Sequence, residues 1–241
     1  MTMALGDRVL EPELMDDPAL DVRAHGRALR GLARINRLSG SARAIWRGIR
    51  AALPAARELR VLDVACGSAD VSLALVGHAR RDGVTLAVTG CDLSASAVER
   101  ARARASATGI AADFVELNVL APGTLEARFS DEFDVVMTSL FLHHLEADTA
   151  VQLLGAMRDI AGQLIVVDDL IRDRFGYVLA ATAPRLLTRS PVVHTDARLS
   201  VRAAFTVQEA SGLAEAARLA DVDISRHWPA RYLLTARGAG Q

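Results

Sequence analysis

The chain has no lysine, only two cysteines and few aromatic residues. The cysteines, Cys66 and Cys91, lack the spacing of a metal site or of a secreted disulfide framework, so we expect a reducing, cytoplasmic setting. No apolar run approaches the ~20 residues that a membrane-spanning helix needs. The first residues also lack the basic-then-apolar order of a signal sequence. These absences predict a soluble protein with no membrane insertion.

The charge of the chain is balanced, with 28 arginines against 29 acidic residues and a formal net charge of −1. Nucleic-acid-binding domains usually have a strongly basic face, so the charge favours a small-molecule partner and no nucleic acid. The 241 residues, 51% of them hydrophobic, are enough for one catalytic domain with additions. The sequence leaves the choice between monomer and homodimer open.

The stretch VLDVACGSAD joins an apolar strand, 59–64, to a turn of small residues and to a helix that begins near Asp70. Asp63 stands near the carboxyl end of this strand, where open parallel sheets bind ligands. Backbone amides of a turn without large side chains can approach a ligand closely, and the positive end of the helix points to the same place. The small residues of this turn include Ala65, Cys66 and Gly67. The stretch predicts a cofactor site, although small residues here also suit close helix packing alone.

A polar residue stands at the end of each of the next two predicted strands. Asp92 follows the apolar run 84–91, where a doubly wound fold binds the hydroxyl groups of a ribose. Asp92 could instead cap the next helix, but Ser94 is better placed to do so. Asn118 ends the strand 112–117, and its amide oxygen can accept a hydrogen bond, although asparagine is also a common turn residue.

Two histidines, His143 and His144, follow the fourth predicted strand, 133–140. An imidazole near its ordinary pKa of ~6.5 can accept a proton from a hydroxyl group. If the chain is extended here, the two side chains point in roughly opposite directions, so we expect at most one to face a substrate. A hydrogen-bonded structural role is the alternative. We predict no metal site, since Glu146 is the only further ligand nearby.

A pair of acids, Asp168 and Asp169, follows the fifth predicted strand, 162–167. We expect both carboxylates at the same edge of the sheet, where one of them, preferably Asp169, orients a histidine or binds substrate. The alternative is that both acids stay solvated at the end of the strand.

The remaining chain adds elements at both ends of the predicted sheet. Two helices between residues 21 and 53, with a break at 39–41, precede it and could bring polar side chains to the site or form a solvated face. Residues 170–205 interrupt the alternation of strands and helices. Thr206 and Glu209 have the spacing of a capping box. Two final strands joined at Pro229 are typical of an antiparallel hairpin.

Taken together, residues 60–169 resemble the class I S-adenosylmethionine-dependent methyltransferases, with four signals in the family's order. The first motif of that family, D-x-[GA]-x-G-x-G, is present as Asp63, Ala65, Gly67 and Ala69. Ala69 departs from the motif, because the family prefers glycine there, and this sets the loop slightly farther from the methionine moiety. The dinucleotide fingerprint G-x-G-x-x-G fits poorly, since Ala65 and Asp70 would occupy its first and third positions.

The resemblance implies an α/β fold with a Rossmann-like, doubly wound sheet of seven strands. The implied strand order is 3-2-1-4-5-7-6 with the last strand antiparallel. We expect an N-terminal arm and helical lid at 1–56 and a methyltransferase domain at 57–241. Within that domain, an insertion after strand five, at about 170–205, would form a wall of the substrate pocket.

The resemblance also implies the function and its residues. We expect methyl transfer from S-adenosylmethionine to a small hydrophobic acceptor, chiefly at the oxygen of a hydroxylated aromatic or polyketide of secondary metabolism. The cofactor-binding residues would be Asp63, Ala65, Cys66, Gly67, Asp92, Leu93, Asn118, Val119 and Ser139. The catalytic residues would be His143, His144 and Asp169. An NAD(P)-dependent oxidoreductase and a non-catalytic cofactor-binding module on the same fold are the alternatives.

Overall fold

The computed structural model describes residues 5–16, 20–129 and 133–240, in which seven strands form one sheet. The strands are β1 (Glu58–Val64), β2 (Thr85–Asp92), β3 (Ala112–Glu116), β4 (Phe133–Ser139), β5 (Ala161–Leu170), β6 (Ala220–His227) and β7 (Arg231–Arg237). Their order across the sheet is β3-β2-β1-β4-β5-β7-β6. This confirms the predicted topology.

Helices cover both faces of the sheet and extend beyond one end of it. They are α1 (Val22–Ser39), α2 (Ser41–Ala52), α3 (Asp70–Arg81), α4 (Ala95–Thr108), α5 (Thr124–Arg128), α6 (Ala147–Ile160), α7 (Arg174–Leu187), α8 (Pro191–Ala203) and α9 (Val207–Ala216). Two short 3₁₀ turns occupy Leu14–Asp16 and Leu142–His144. Within the described ranges, no helix combines the length and apolar character needed to cross a bilayer.

Strand direction places the candidate site. The pairs β1–β2, β1–β4, β2–β3 and β4–β5 are parallel, so these five strands end at one edge of the sheet. The chain starts at β1, moves outward to β3, then returns to β4 on the other side of β1. Crevices in such sheets open where the strand order reverses, which here is between β1 and β4. Strand β7 is antiparallel to both β5 and β6, as predicted for the last strand.

The central strands are buried on both faces, and their side chains alternate between two cores. Leu62 and Val64 point into a core shared with α6 and α9. Leu59 and Val61 point into the opposite core, shared with α2 and α3. This alternation with a period of two explains why nearly continuous apolar runs in the sequence are strands rather than helices.

Local signals fix several helix ends as predicted. The Ser94 side chain accepts a hydrogen bond from the N–H of Ala97 and caps α4. Thr206 and Glu209 form a reciprocal capping box at the start of α9. The break between the first two helices lies at Gly40, whose φ of 73° is left-handed.

The fifth strand is longer than the sequence pattern predicted, because it continues through Asp168 and Asp169 to Leu170. The two acids therefore lie inside a strand, and successive side chains of a strand point to opposite faces. Both are buried, with exposures of 0% and 1%. The expectation that both carboxylates face the same edge is therefore wrong, and so is the alternative that both stay solvated.

The segment before α1 is docked on the rest of the protein over residues 5–16, whereas residues 1–4 and 17–19 lie outside the described part. Arg8 donates to the carbonyl oxygens of His143 and Leu145 at 2.9 and 2.6 Å. The amides of Leu14 and Met15 donate to the carboxylate of Asp196 at 2.9 and 3.1 Å. We call residues 5–16 the N-terminal arm; these contacts hold it against α8 and the turn after β4.

Candidate active site

The loop between β1 and α3 is the first part of the site. Three of its residues have left-handed backbone conformations: Ala65, Gly67 and Ala69, with φ of 57°, 53° and 58°. These alternate with residues of ordinary φ and fold the chain tightly enough to start α3 at Asp70. A Cβ atom added at Gly67 would meet nothing within 4 Å, so this position faces open space. The loop thus presents backbone, rather than side chains, to a ligand.

Asp92 links the end of β2 to this loop. One carboxylate oxygen accepts a hydrogen bond from the amide of Gly67 at 2.8 Å, and the other accepts one from the amide of Ser94 at 2.9 Å. Each carboxylate oxygen has lone pairs for a further donor, such as a ribose hydroxyl. The structure therefore brings Asp92 and Gly67 together, as the cofactor-site prediction requires, and leaves Asp92 half-buried rather than sealed.

Asp63 lies beneath the loop with 1% exposure. Burial raises the pKa of its carboxyl group to about 7, with the Ser72 hydroxyl opposing and Asp92 adding to the rise. Among the described residues, no donor reaches Asp63 Oδ1. A buried carboxylate oxygen without a donor is costly unless a ligand supplies one. The amino group at the methionine end of S-adenosylmethionine is a donor of this kind.

Cys66 contributes its backbone and its bulk rather than a reactive thiol. Its amide donates to the carbonyl of Cys91 at 2.9 Å. Burial raises the pKa of the Cys66 thiol far above its ordinary value. A Cβ at Gly90 would lie 2.8 Å from Cys66 Sγ and 2.7 Å from Phe114 Cδ1, so Gly90 lets this side of the loop pack closely on β2.

The segments that follow β2 and β3 expose apolar and amide groups. Leu93 and Leu120 are 65% and 41% exposed, and Val119 is buried. The Asn118 side chain is exposed and accepts a hydrogen bond from the Leu120 amide at 3.1 Å. Asn118 is thus a turn residue and also stands at the carboxyl end of β3, where an adenine would lie. Leu120 escaped the sequence analysis because an isolated leucine in a loop gives no pattern.

The chain turns sharply after β4, and this turn directs the histidines. Ser139 ends the strand half-buried, and Leu140 has a left-handed φ of 55°. The amide of Leu140 donates to the carbonyl of Asp168 at 2.8 Å, which ties the turn to β5. Because the 3₁₀ turn follows at once, the chain is not extended at His143 and His144. Their rings stack with centroids 4.2 Å apart, so the expectation of opposite directions is wrong.

His143 and Asp169 form a buried pair. The ring atom Nδ1 lies 2.6 Å from Asp169 Oδ1, and the backbone amide of His143 donates to Asp169 Oδ2 at 3.0 Å. Since an ionised carboxylate only accepts hydrogen bonds, Nδ1 carries the proton and Nε2 is left as the free nitrogen. The predicted link between Asp169 and a histidine is therefore present.

The pKa values of the two histidines are shifted in opposite directions. For His143, burial lowers the pKa, but the charge and hydrogen bond of Asp169 outweigh it and raise the pKa above the ordinary value. For Asp169, burial raises the pKa, but His143 and the hydrogen bonds to the carboxylate hold the pKa below its usual range. Burial, reinforced by the charge of His143, lowers the pKa of His144 to about 3. His144 is therefore neutral at physiological pH.

Asp168 belongs to a different network on the other face of β5. It accepts hydrogen bonds from His227 Nε2 at 2.5 Å and from Arg231 Nη1 at 3.2 Å. Arg231 also donates to the Ser41 hydroxyl at the start of α2. Asp168 thus joins the final hairpin to the helices before the sheet, and its role is structural.

A cavity of about 410 Å³ opens beside the histidines. The N-terminal arm contributes Glu13 and Met15, the turn after β4 contributes His143 and His144, and the hairpin contributes Trp228 and Arg231. Most of the rest of the wall is apolar and comes from α1, α7 and α8, including Ile35, Leu38, Leu179, Ala183, Leu187 and Val201. Helices α7 and α8, which belong to the 170–205 segment, line this cavity. That the cavity is the substrate pocket stays a prediction. Such a wall suits an apolar ligand with a few polar groups.

Glu13 is the cavity residue that the sequence analysis missed. Its Oε1 lies 4.0 Å from His143 Nε2 and accepts a hydrogen bond from Ser200. Ligand atoms of Glu13, His143 and His144 all lie within 4.8 Å of one another, so in the described part of the chain this group could gather a metal ion. Nothing in the local sequence connects residue 13 to residue 143, since only the docked arm brings them together.

Several polar residues of the first two helices and of the 170–205 segment have structural partners. Arg34 donates to the carbonyl of Leu187 at 2.6 Å, and Trp46 Nε1 donates to Asp82 at 2.7 Å. His194 pairs with the carbonyl of Thr188 at 2.8 Å. Arg202 donates to Glu11 at 3.1 Å. Asn36, in contrast, lines the cavity.

Comparison with known proteins identifies a domain within the chain. Residues 61–162 match the family described as a methyltransferase domain. Among curated proteins, ribosomal RNA small subunit methyltransferase C of Klebsiella pneumoniae is 34% identical over 115 residues, covering 45% of this chain and 30% of that protein. The Escherichia coli protein of the same name is 33% identical over 138 residues, covering 51% of this chain and 37% of that protein. The chain therefore spans about a third of the length of these relatives.

Solved structures show the same fold. An O-methyltransferase family 2 protein from Planctomyces limnophilus in complex with apigenin has a TM-score of 0.64 and 16% identity, covering 92% of this chain and 63% of that chain. Magnesium protoporphyrin IX methyltransferase from Synechocystis with bound SAH has a TM-score of 0.57 and 13% identity, covering 92% and 90% of the two chains. Residues 61–162 therefore form a methyltransferase domain, and the fold of the whole chain is shared with these two methyltransferases.

Proposed function

We propose that this protein transfers the methyl group of S-adenosylmethionine to a hydroxyl oxygen of a small, largely apolar acceptor. The observation that carries the proposal is the apolar cavity of about 410 Å³ with His143 on its wall. A buried carboxylate holds this imidazole in one orientation, with Nε2 free to meet an acceptor. The acceptor class is the one suited to such a wall, a hydroxylated aromatic or polyketide.

The cofactor residues are proposed from their places around the crevice. Asp92 would hold the ribose hydroxyls, because both of its oxygens retain acceptor capacity. The exposed face of Leu93 and the side chains of Asn118 and Val119 would receive the adenine. Asp63 and the backbone of Ala65, Cys66 and Gly67 would receive the methionine end, with Ser139 at the neighbouring strand end. When bound, the cofactor supplies a methyl group already activated on a sulfonium.

The chain's own task is then to position the acceptor and to manage one proton. His143 Nε2 accepts the proton of the acceptor hydroxyl, and Asp169 stabilises the imidazolium that forms. Arg8 fixes the same turn from the other side by binding the carbonyls of His143 and Leu145. The arm and α1 line the cavity and keep water from part of its wall, which strengthens these interactions. His144 serves as a neutral wall of the pocket.

Partner and location are part of the proposal. The curated relatives are named for ribosomal RNA, but the shared length is about a third of those proteins. The formal net charge of −1 offers little attraction to a nucleic acid. We therefore assign a small-molecule acceptor, a cytoplasmic setting and a place in secondary metabolism.

The experiment uses the purified full chain in native mass spectrometry, followed by incubation with S-adenosylmethionine and a panel of phenols, naphthols and hydroxylated polyketides. We expect retained donor or product, and a mass gain of one methyl group in at least one acceptor. An NAD(P)-dependent oxidoreductase would instead show a thermal shift with the dinucleotide and none with S-adenosylmethionine. A non-catalytic module would bind the methyl donor without consuming it in the presence of any acceptor.

A further inference from the structure

Large apolar side chains stand exposed around the mouth of the cavity. Phe175 and Val178 on α7 are 55% and 61% exposed, Leu186 is 87% exposed and Trp228 is 64% exposed. The rings of Phe175 and Trp228 are neighbours, with centroids 6.1 Å apart. We call these four residues the apolar patch. Exposed apolar side chains that cluster in this way mark interaction surfaces more often than isolated ones do.

Helix α7 has two apolar faces. Phe175, Val178 and Leu186 are spaced by three and eight residues, which places them on one face of a helix with 3.6 residues per turn. The residues that line the cavity, Leu179 and Ala183 among them, lie on the adjoining face. One face of α7 thus lines the cavity, and the other is exposed to solvent.

The apolar patch also connects directly with the cavity. Trp228 and Leu38 line the cavity wall although both are more than half exposed, so they stand at its mouth. A ligand that leaves the cavity past these residues arrives at the apolar patch.

Basic side chains outnumber acidic ones around the patch. Residues 174–195 contain no aspartate or glutamate, and they include Arg174, Arg185 and Arg189, all exposed. Arg226 on β6 is exposed as well and pairs with Asp173 at 3.7 Å. In a chain whose net charge is −1, this is a local basic border around an apolar centre.

We propose that the apolar patch docks on the surface of an anionic lipid bilayer. Apolar side chains entering the headgroup region, bordered by arginines that meet anionic lipids, are the combination that holds a protein at a membrane surface. A tryptophan suits the same interface, since its ring is amphipathic. A second copy of the chain is a poorer occupant, because a two-fold contact centred on the patch would oppose the two sets of arginines.

Docking would place the cavity mouth against the bilayer, from which an apolar acceptor can enter. This consequence rests on the proposed function, whereas docking itself does not. The two can fail separately: a methyl-transfer assay with a water-soluble acceptor tests the reaction without vesicles, and vesicle binding tests the surface without an acceptor.

The test uses the full chain with sonicated vesicles of phosphatidylcholine, alone or mixed with phosphatidylglycerol. We expect co-sedimentation with the mixed vesicles that weakens with added salt. The chain has two tryptophans, and Trp46 is buried. A Trp46→Phe variant therefore reports Trp228 alone, whose emission should shift to shorter wavelength and be quenched by brominated lipid. Co-sedimentation of the wild-type chain gives the answer if this variant does not fold.

Matched variants localise the contact. We expect Leu186→Ser to weaken vesicle binding roughly tenfold, because the variant loses the free energy gained when a leucine side chain is buried in the bilayer. Arg185→Ala should weaken it about fivefold at low salt. The controls are Val222→Ser on β6 and Arg80→Ala on α3, which remove an exposed residue of the same type elsewhere.

Three results would overturn the proposal. The first is the absence of co-sedimentation with the mixed vesicles, and the second is equal binding by the patch variants and their controls. The third is a concentration-dependent dimer, measured by light scattering, that Leu186→Ser abolishes, since this would assign the surface to a second copy of the chain.

Discussion

His143 Nδ1 lies 2.6 Å from Asp169 Oδ1, joining the turn after β4 to the interior of β5. The pair is buried, and His143 lines a cavity whose wall is mostly apolar. Because the carboxylate occupies Nδ1, Nε2 is the nitrogen that faces Glu13 and the cavity. The same carboxylate also accepts the backbone amide of His143, so ring and backbone are fixed together.

The two histidines should differ in their effect on turnover. We expect His143→Ala to lower kcat by about a hundredfold or more, the usual loss when a general base is removed. Cofactor affinity, measured by isothermal titration calorimetry, should stay near that of the wild type. His144→Ala should lower kcat far less. Equal turnover in the two variants would reject the base and leave positioning alone as the source of catalysis.

The pH dependence of turnover should follow Asp169. As a base, His143 must be unprotonated, so turnover rises as the pH passes the pKa of His143. Asp169 holds that pKa above the ordinary value. In Asp169→Asn we therefore expect the acid limb of the kcat profile to move to lower pH while the plateau falls. A limb that stays in place would show that another group controls it.

Asp92 should be central to cofactor binding. Asp92→Ala removes the acceptor for the ribose hydroxyls and also frees the amide of Gly67. We expect a loss of about 2 kcal/mol or more in binding free energy for S-adenosylmethionine. Glu99→Ala, an exposed acid on α4, is the matched control. Calorimetry that finds the same affinity in Asp92→Ala as in the wild type would remove Asp92 from the site.

Asp63 should make the ligand-free protein less stable as the pH rises. Burial raises the pKa of Asp63 to about 7 in the folded state, well above the ~3.9 of an unfolded chain. The folded state therefore binds this proton more tightly, so the stabilisation is full below pH ~4 and is lost as the pH passes about 7.

Urea unfolding at pH ~5 and ~8 tests this expectation for Asp63. Between these values the wild type should lose at least about 1 kcal/mol more stability than Asp63→Asn, which has no carboxyl group to ionise. The same pH dependence in both proteins would show that Asp63 ionises as freely when folded as when unfolded.

The loop after β1 should respond oppositely to two reciprocal substitutions. Ala65 and Gly67 both have a left-handed φ, in which a Cβ costs roughly 1–2 kcal/mol. We expect Ala65→Gly to raise the free energy of unfolding by about 1 kcal/mol and Gly67→Ala to lower it by a similar amount. Thermal and urea unfolding measure both. Since a Cβ at Gly67 meets no neighbour, backbone strain alone should account for the loss, and a loss of several kcal/mol would contradict this explanation.

Local signals were sufficient to predict most strands and helix ends, such as the Ser94 cap and the Thr206 capping box, which are short-range patterns. The strand order, in contrast, was predicted from the resemblance to the methyltransferase family, and the structure confirms it. The loop at Gly67 and the acid at Asp92 could be found because each follows a strand directly. Contact between the Gly67 amide and Asp92 agrees with their predicted shared site, although their binding roles stay a prediction.

Long-range partners explain what the sequence analysis missed. The sequence analysis could not find the partners of Asp168, because His227 and Arg231 lie 59 and 63 residues further along the chain. The stacking of the two histidines depends on a 3₁₀ turn that no periodic pattern announces. Glu13 reaches the cavity only because the arm docks on α8.

The docked arm lies beside the cavity proposed for the acceptor and outside the crevice proposed for the methyl donor. The proposed crevice for the methyl donor lies at the ends of β1, β2 and β3, whereas Glu13 and Met15 reach the proposed acceptor cavity from a segment that belongs to no strand. On this proposal, substitutions in the arm change the choice of acceptor while the donor crevice keeps its shape. A dozen residues at the edge of the domain would then be enough to give the same catalytic sheet a new substrate.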